Sequence, residues 1–168
     1  MNLGTLPADT FKLGATQVNK VMLGDVEVWS DGPQNLIPKL TSYEDGIGFV
    51  AASNREDTAW KVFDRDVNSF WTIISGVVGD YVSYSFVEPV FVGNLAASAS
   101  MGQTGFFEVQ ASITGVWGGE EIVLCSFSGN GAGYAGPALT SGEYQHFRIV
   151  ATEHQSGSVS VASLALFA

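Results

Sequence analysis

Tyr81-Val82-Ser83-Tyr84-Ser85-Phe86 alternates apolar and polar side chains. After Val87-Glu88-Pro89 the pattern resumes in Val90-Phe91-Val92-Gly93-Asn94-Leu95-Ala96-Ala97. A period of two is the signature of a half-buried β-strand, because successive side chains point to opposite faces. The two runs are predicted as strands Tyr81–Phe86 and Val90–Ala97, separated at Pro89, which cannot donate to a ladder.

Working outward, the same signal recurs in Ile47–Ala51, Phe106–Ser112, Glu121–Ser126, Gln145–Ala151 and Ser158–Phe167. Turn-forming stretches separate them: Gly102-Gln103-Thr104-Gly105, Gly115 to Gly119, and Gly129 to Pro137. Only Asp57 to Asp64 allows helix, for about two turns at most. Short strands joined by Gly-rich turns predict an all-β, antiparallel sandwich or jelly roll. The expected core is Phe63, Trp71, Phe86, Val109, Phe147, Ile149, Leu164 and Leu166. His146 and Arg148 fall on the outward phase of their strand.

The first 34 residues read as a separate arm. Val18–Met22 and Val26–Trp29 are short β-rich runs around Leu23-Gly24-Asp25, a hairpin turn signal. Ser30-Asp31-Gly32-Pro33-Gln34 is a turn-rich linker. The domain division is therefore 1–34 for the arm and 35–168 for the sandwich. An isolated hairpin is marginal in water. Phe11, Val18, Val21, Leu23, Val26, Val28 and Trp29 are accordingly expected to lie in an interface.

Seven Lys+Arg against seventeen Asp+Glu give a formal net charge of -10. This excludes nucleic acid, whose phosphates require clustered cations, and disfavours anionic membrane surfaces. No run approaches the ~20 apolar residues of a membrane helix. The N-terminus has neither the basic head nor the apolar stretch of a secretory signal. Only 14% of residues are charged and mean hydropathy is positive, so part of the surface is expected to be covered in an assembly. Cys125, in Ile122-Val123-Leu124-Cys125, reads as a small core side chain. No nucleophile elbow, phosphate loop, zinc pattern or dinucleotide fingerprint occurs. The adjacent acids Glu56-Asp57 and Glu120-Glu121 make poor catalytic pairs, and the chain is expected not to be an enzyme.

Six stretches, in order, resemble the discoidin-like (coagulation factor type C) family. They are Val50-Ala51-Ala52-Ser53; Ala59 to Trp71 with Phe63-Asp64-Arg65-Asp66 inside it; Val82 to Pro89; Phe107 to Ser112 followed by Gly115 and Trp117; His146-Phe147-Arg148-Ile149-Val150; and Val159 to Phe167. The resemblance implies a galactose-binding-like jelly-roll sandwich, with Trp71 and Trp117 in core positions. It implies glycan binding through exposed aromatics. Trp60 and Phe70 are the candidates, with Glu153 and His154 as polar contacts. It further implies a structural Ca²⁺ held by Asp64, Asp66 and Ser69, although Ser163 stands where the family often has an acid. Capping of the turn by Asp64 is the alternative, and no other cofactor is expected.

Phe11 to Trp29 is similar to a hairpin of tailed-phage tail and fibre proteins. That similarity implies a structural virion protein (tail, fibre or baseplate region), made in the host cytoplasm and homo-oligomeric or bound to other virion subunits. Its sandwich would display a site for a host-surface glycan. The alternatives are a stand-alone carbohydrate-binding module and a capsid decoration protein.

Overall fold

The computed structural model describes residues 33–99, 105–129, 133–154 (backbone alone for 154) and 157–168, together with the strand backbone of 11–13, 16–18, 20–23 and 26–30. The chain divides into two units, Met1–Gln34 and Asn35–Ala168.

In the first unit, β1 (Phe11–Leu13) pairs antiparallel with β2 (Thr16–Val18), and β3 (Lys20–Leu23) with β4 (Val26–Ser30). Leu23 lies opposite Val26, so a two-residue connection closes the second hairpin. The β1–β2 pair is not foreseen from the sequence, because three-residue strands are too short to establish a period. The side chains of Phe11, Val18, Val21, Leu23, Val26, Val28 and Trp29 lie outside the described residues.

The second unit contains α1 (Tyr43–Gly46), β5 (Val50–Ala52), α2 (Glu56–Ala59), a 3-10 turn (Trp60–Phe63), β6 (Trp71–Ile73), β7 (Tyr81–Ala99), β8 (Gly105–Ser112), β9 (Ile122–Ser128), β10 (Tyr134–His154) and β11 (Val159–Phe167). All strand pairs are antiparallel, in the order β6-β11-β7-β10-β8-β9 with β5 beside β7. The long strands β7 and β10 belong to both halves of the sandwich. Their ladder breaks where Tyr144 pairs with Val90 but His146 with Ser85. Before the break β10 runs beside the half of β7 that pairs with β11; after it, β10 lies between β7 and β8.

Two expected strands are therefore one, running through Pro89. Pro89 sits in the break, where no ladder bond is asked of it. Gln145 bulges there, and its Nε2 donates to the carbonyls of Phe86 (3.1 Å) and Val87 (3.0 Å), which the ladder leaves open. The predicted turn Gly129–Pro137 is likewise strand from Tyr134 onward, paired with Asn94–Ala97. Pro137 is tolerated because β8 joins β10 only from His146, so that among the described residues this stretch has a partner strand on one side alone. α1 also escapes the sequence reading. It is a single turn fixed by a capping box between Ser42 and Asp45.

Both halves bury one face in a common core. Phe63, Trp71, Val109, Phe147, Ile149, Leu164 and Leu166 are buried as expected. Phe86 is only half-buried, since it stands at the corner where β7 changes layers; it packs edge-on against Tyr84 and Phe147. Trp71 is fully buried, and its Nε1 donates to the Asn54 carbonyl at 2.9 Å. Burial pushes the Cys125 thiol up to about 11, which makes it an inert core side chain.

Candidate functional site

Strand alternation in β10 sends Phe147 and Ile149 into the core and turns His146 and Arg148 outward. The registers of β7 and β8 place polar neighbours beside them. His146 lies between Ser85 and Ser112, Arg148 between Ser83 and Gln110, and Val150 between Tyr81 and Glu108. The His146 Nδ1 and Ser85 Oγ are 2.8 Å apart. Arg148 Nε donates to Gln110 Oε1 at 2.8 Å, and Gln110 Nε2 donates to Glu108 Oε2 at 2.7 Å. Gln110 is buried, so this chain of bonds holds the guanidinium in one orientation.

The loop 113–121 connects β8 to β9 and folds back over this face. Gly115 N donates to Ser112 Oγ at 2.9 Å. A Cβ at Gly115 would come within 3.2 Å of the His146 ring, so glycine permits the close approach. Gly118 and Gly119, at φ +137° and +116°, aim their N–H groups at Glu121 Oε2, 2.8 and 2.6 Å away. Those bonds, led by the one from Gly119, hold the Glu121 carboxyl down at about 2.

This loop lays the half-buried Trp117 ring over Arg148, with the guanidinium carbon 4.2 Å from the ring centroid. Tyr81 stands at 5.8 Å from the same carbon. Trp117 is therefore not a core residue. It belongs to a loop that crosses the outer face, and its partner is a cation rather than the apolar interior.

Burial lowers the Arg148 pKa, while the charge of Glu121, then Tyr81 and Glu108, raises it. Among the described residues the two terminal nitrogens of Arg148 have no hydrogen-bond partner, and neither does Glu108 Oε1. The arrangement thus combines oriented N–H donors, a carboxylate acceptor and two aromatic rings on a preformed surface. Such a set suits a polyhydroxylated ligand, whose hydroxyls both donate and accept and whose C–H faces pack on aromatic rings.

The residues singled out from the sequence lie on three stretches: the 3-10 turn, the segment ahead of β6 and the end of β10. Trp60 is half-buried and packs on the core, and Phe70 is half-buried just ahead of β6. Glu153 is exposed opposite Phe106 in β8, while the His154 side chain lies outside the described residues. No hydrogen bond or ring contact joins Trp60 or Phe70 to Glu153.

Asp64 and Asp66 serve the backbone. Asp64 Oδ1 accepts from Asp66 N at 2.7 Å, and Asp66 Oδ1 from Asn68 N at 2.9 Å. Ser69 donates its N–H to the Asp66 carbonyl, and Ser163 Oγ bonds Ser98 Oγ at 2.7 Å. Calcium takes six to eight oxygens. Among the described residues no group of three or more His, Cys, Asp or Glu side chains is placed to hold a metal. Asp64 and Asp66 thus each accept a backbone N–H of the turn, the capping role weighed against calcium.

The outer-face residues missed by sequence reading did leave a trace. Glu108, Gln110 and Ser112 alternate with Phe107, Val109 and Ala111, just as His146 and Arg148 alternate with Phe147 and Ile149. The strand order that makes them neighbours is not legible from that alternation.

No family model and no curated protein sequence matches the chain. Solved structures match its fold. Chitosan-binding module 1 of a chitosanase/glucanase from Paenibacillus sp. IK-5 superposes with a TM-score of 0.62 at 14% identity, covering 80% of this chain and 99% of that one. Module 2 of the same enzyme, solved with chitotriose, gives 0.59 at 14% identity, covering 71% and 95%. The family 32 carbohydrate-binding module of NanJ from C. perfringens, solved with galactose, gives 0.56 at 18% identity, covering 71% and 92%. The fold is thus the antiparallel, galactose-binding-like β-sandwich of carbohydrate-binding modules.

Proposed function

We propose that residues 35–168 form a non-catalytic carbohydrate-binding module whose ligand lies on the outer face around Arg148, Trp117, Tyr81, Gln110 and Glu108. The observation that carries this reading is the Arg148 guanidinium. It is oriented by Gln110 and backed by Trp117, yet both terminal nitrogens have no hydrogen-bond partner among the described residues. A preorganised donor beside an aromatic ring loses little entropy on binding. The fold shared with sugar-binding modules supports the same reading, as analogy. Catalysis is not part of it: Ser85 and His146 form a hydroxyl–imidazole pair, but no carboxylate accepts from the far imidazole nitrogen among the described residues.

The test is a glycan array followed by calorimetry on the best ligand. Trp117→Ala and Arg148→Ala should each weaken binding at least about tenfold, which is 1.4 kcal/mol. Full binding in both, with loss in Glu153→Ala and His154→Ala, would move the site to the turn after β10.

A second reading, a subunit of a tailed-phage tail or fibre, rests on the arm. Each hairpin is a two-stranded sheet with no third strand among the described residues, and open edges invite pairing with another chain. The two readings are compatible in a protein that recognises a host-surface glycan, and the fold comparisons favour the carbohydrate-binding one.

A further inference from the structure

The electrostatics of the outer face go further and select among glycans. Resting on the carbohydrate-binding reading, we infer that the site takes a glycan of amino sugars carrying free ammonium groups and rejects acidic glycans such as oligouronates. One cation, Arg148, meets the charge of two carboxylates, Glu121 and Glu108. Glu120 adds a third acid from the same loop, bonded to Thr114 Oγ1. Among the described residues the local balance is negative, as is that of the whole chain at -10. An incoming carboxylate would therefore approach against the field even though an arginine is present.

An ammonium has one attractive position here. Glu108 Oε1 has no protein hydrogen-bond partner among the described residues, while its other oxygen is committed to Gln110. The rings of Trp117 and Tyr81 already face the Arg148 guanidinium. The free Arg148 nitrogens, as donors only, then serve hydroxyl and ring oxygens. Glu121 is occupied by Gly118 and Gly119 and acts through its charge.

The experiment compares three trimers by calorimetry on the full chain in mildly acidic, low-salt buffer: glucosamine, N-acetylglucosamine and galacturonate. Affinity should fall in that order, by at least about tenfold from the first to the last, and the gap should shrink in high salt, which screens charge. Glu108→Gln keeps an amide oxygen for Gln110 and should narrow the gap about threefold or more without moving the melting temperature. A galacturonate trimer binding as tightly as the glucosamine trimer overturns the inference and leaves the carbohydrate-binding reading standing. An unchanged gap in a folded Glu108→Gln protein overturns the assignment to Glu108. Absence of binding by every saccharide, on the trimers and on the array, overturns both.

Discussion

The Arg148 guanidinium carbon lies 4.2 Å from the centroid of the Trp117 ring, on the face of the sheet turned away from the core. This one stack ties a glycine-rich loop to the middle strand of a sheet. It also gives the outer face its aromatic and cationic character together. Its Nε bond to buried Gln110 makes it part of the fold as well as of the candidate site.

Arg148→Lys keeps the charge but removes the planar fork and the Nε donor. A stability loss of ~1–2 kcal/mol is expected, from the weakened cation–π contact and the unmet Gln110 oxygen. Urea denaturation measures it, and an unchanged midpoint would mean that the stack contributes nothing to folding.

Glu121 gives the loop a pH dependence of defined sign. Its carboxyl is held at about 2, against an ordinary value of 4.5. A depressed acid stabilises the folded state fully above the unfolded value and loses that contribution as pH falls from there towards the folded one. Melting temperature should therefore fall less steeply below pH 4.5 in Glu121→Gln than in the parent chain. Parallel curves would contradict the role given to the Gly118 and Gly119 bonds.

Trp71 is the largest fully buried side chain, at 0% exposure. Replacing it with alanine opens a cavity and deletes the bond to Asn54, at an expected cost of ~3–5 kcal/mol. Trp60→Ala should cost clearly less, because that ring is only half-buried. Equal losses in a denaturation series would reverse the assignment of which tryptophan anchors the core.

The arm predicts an oligomer. Light scattering on the full chain should report a mass above 17.8 kDa that is concentration-dependent or fixed by symmetry. A chain beginning at Asn35 should run as a monomer. Monomers in both cases would remove the assembly role proposed for the two hairpins.

Much of the sandwich was legible in the residues themselves. Alternation in Tyr81–Phe86, Phe106–Ser112 and His146–Val150 reports which side chains face inward, because a strand has only two faces. Burial of Phe147, Ile149 and Val109 follows from that local geometry. So does the outward direction of His146 and Arg148. Trp117 shows the limit: it sits in a loop, where no period applies, and its indole crosses to the polar face because Gly115, Gly118 and Gly119 allow the chain to fold back.

Sequence alone determined the all-β character, the inward phase of Phe106–Ser112 and Gln145–Ala151 and the acidic balance, since these depend on neighbours along the chain. Tertiary structure alone decided that β10 lies between β7 and β8, which sets Arg148 beside Gln110 and within reach of Tyr81. It also carried Tyr134–Pro137 into a strand despite its glycine and proline. The reason is the same in both cases: hydrogen-bond ladders and side-chain stacks join residues far apart in the chain, and local preference yields where such a partner satisfies the backbone.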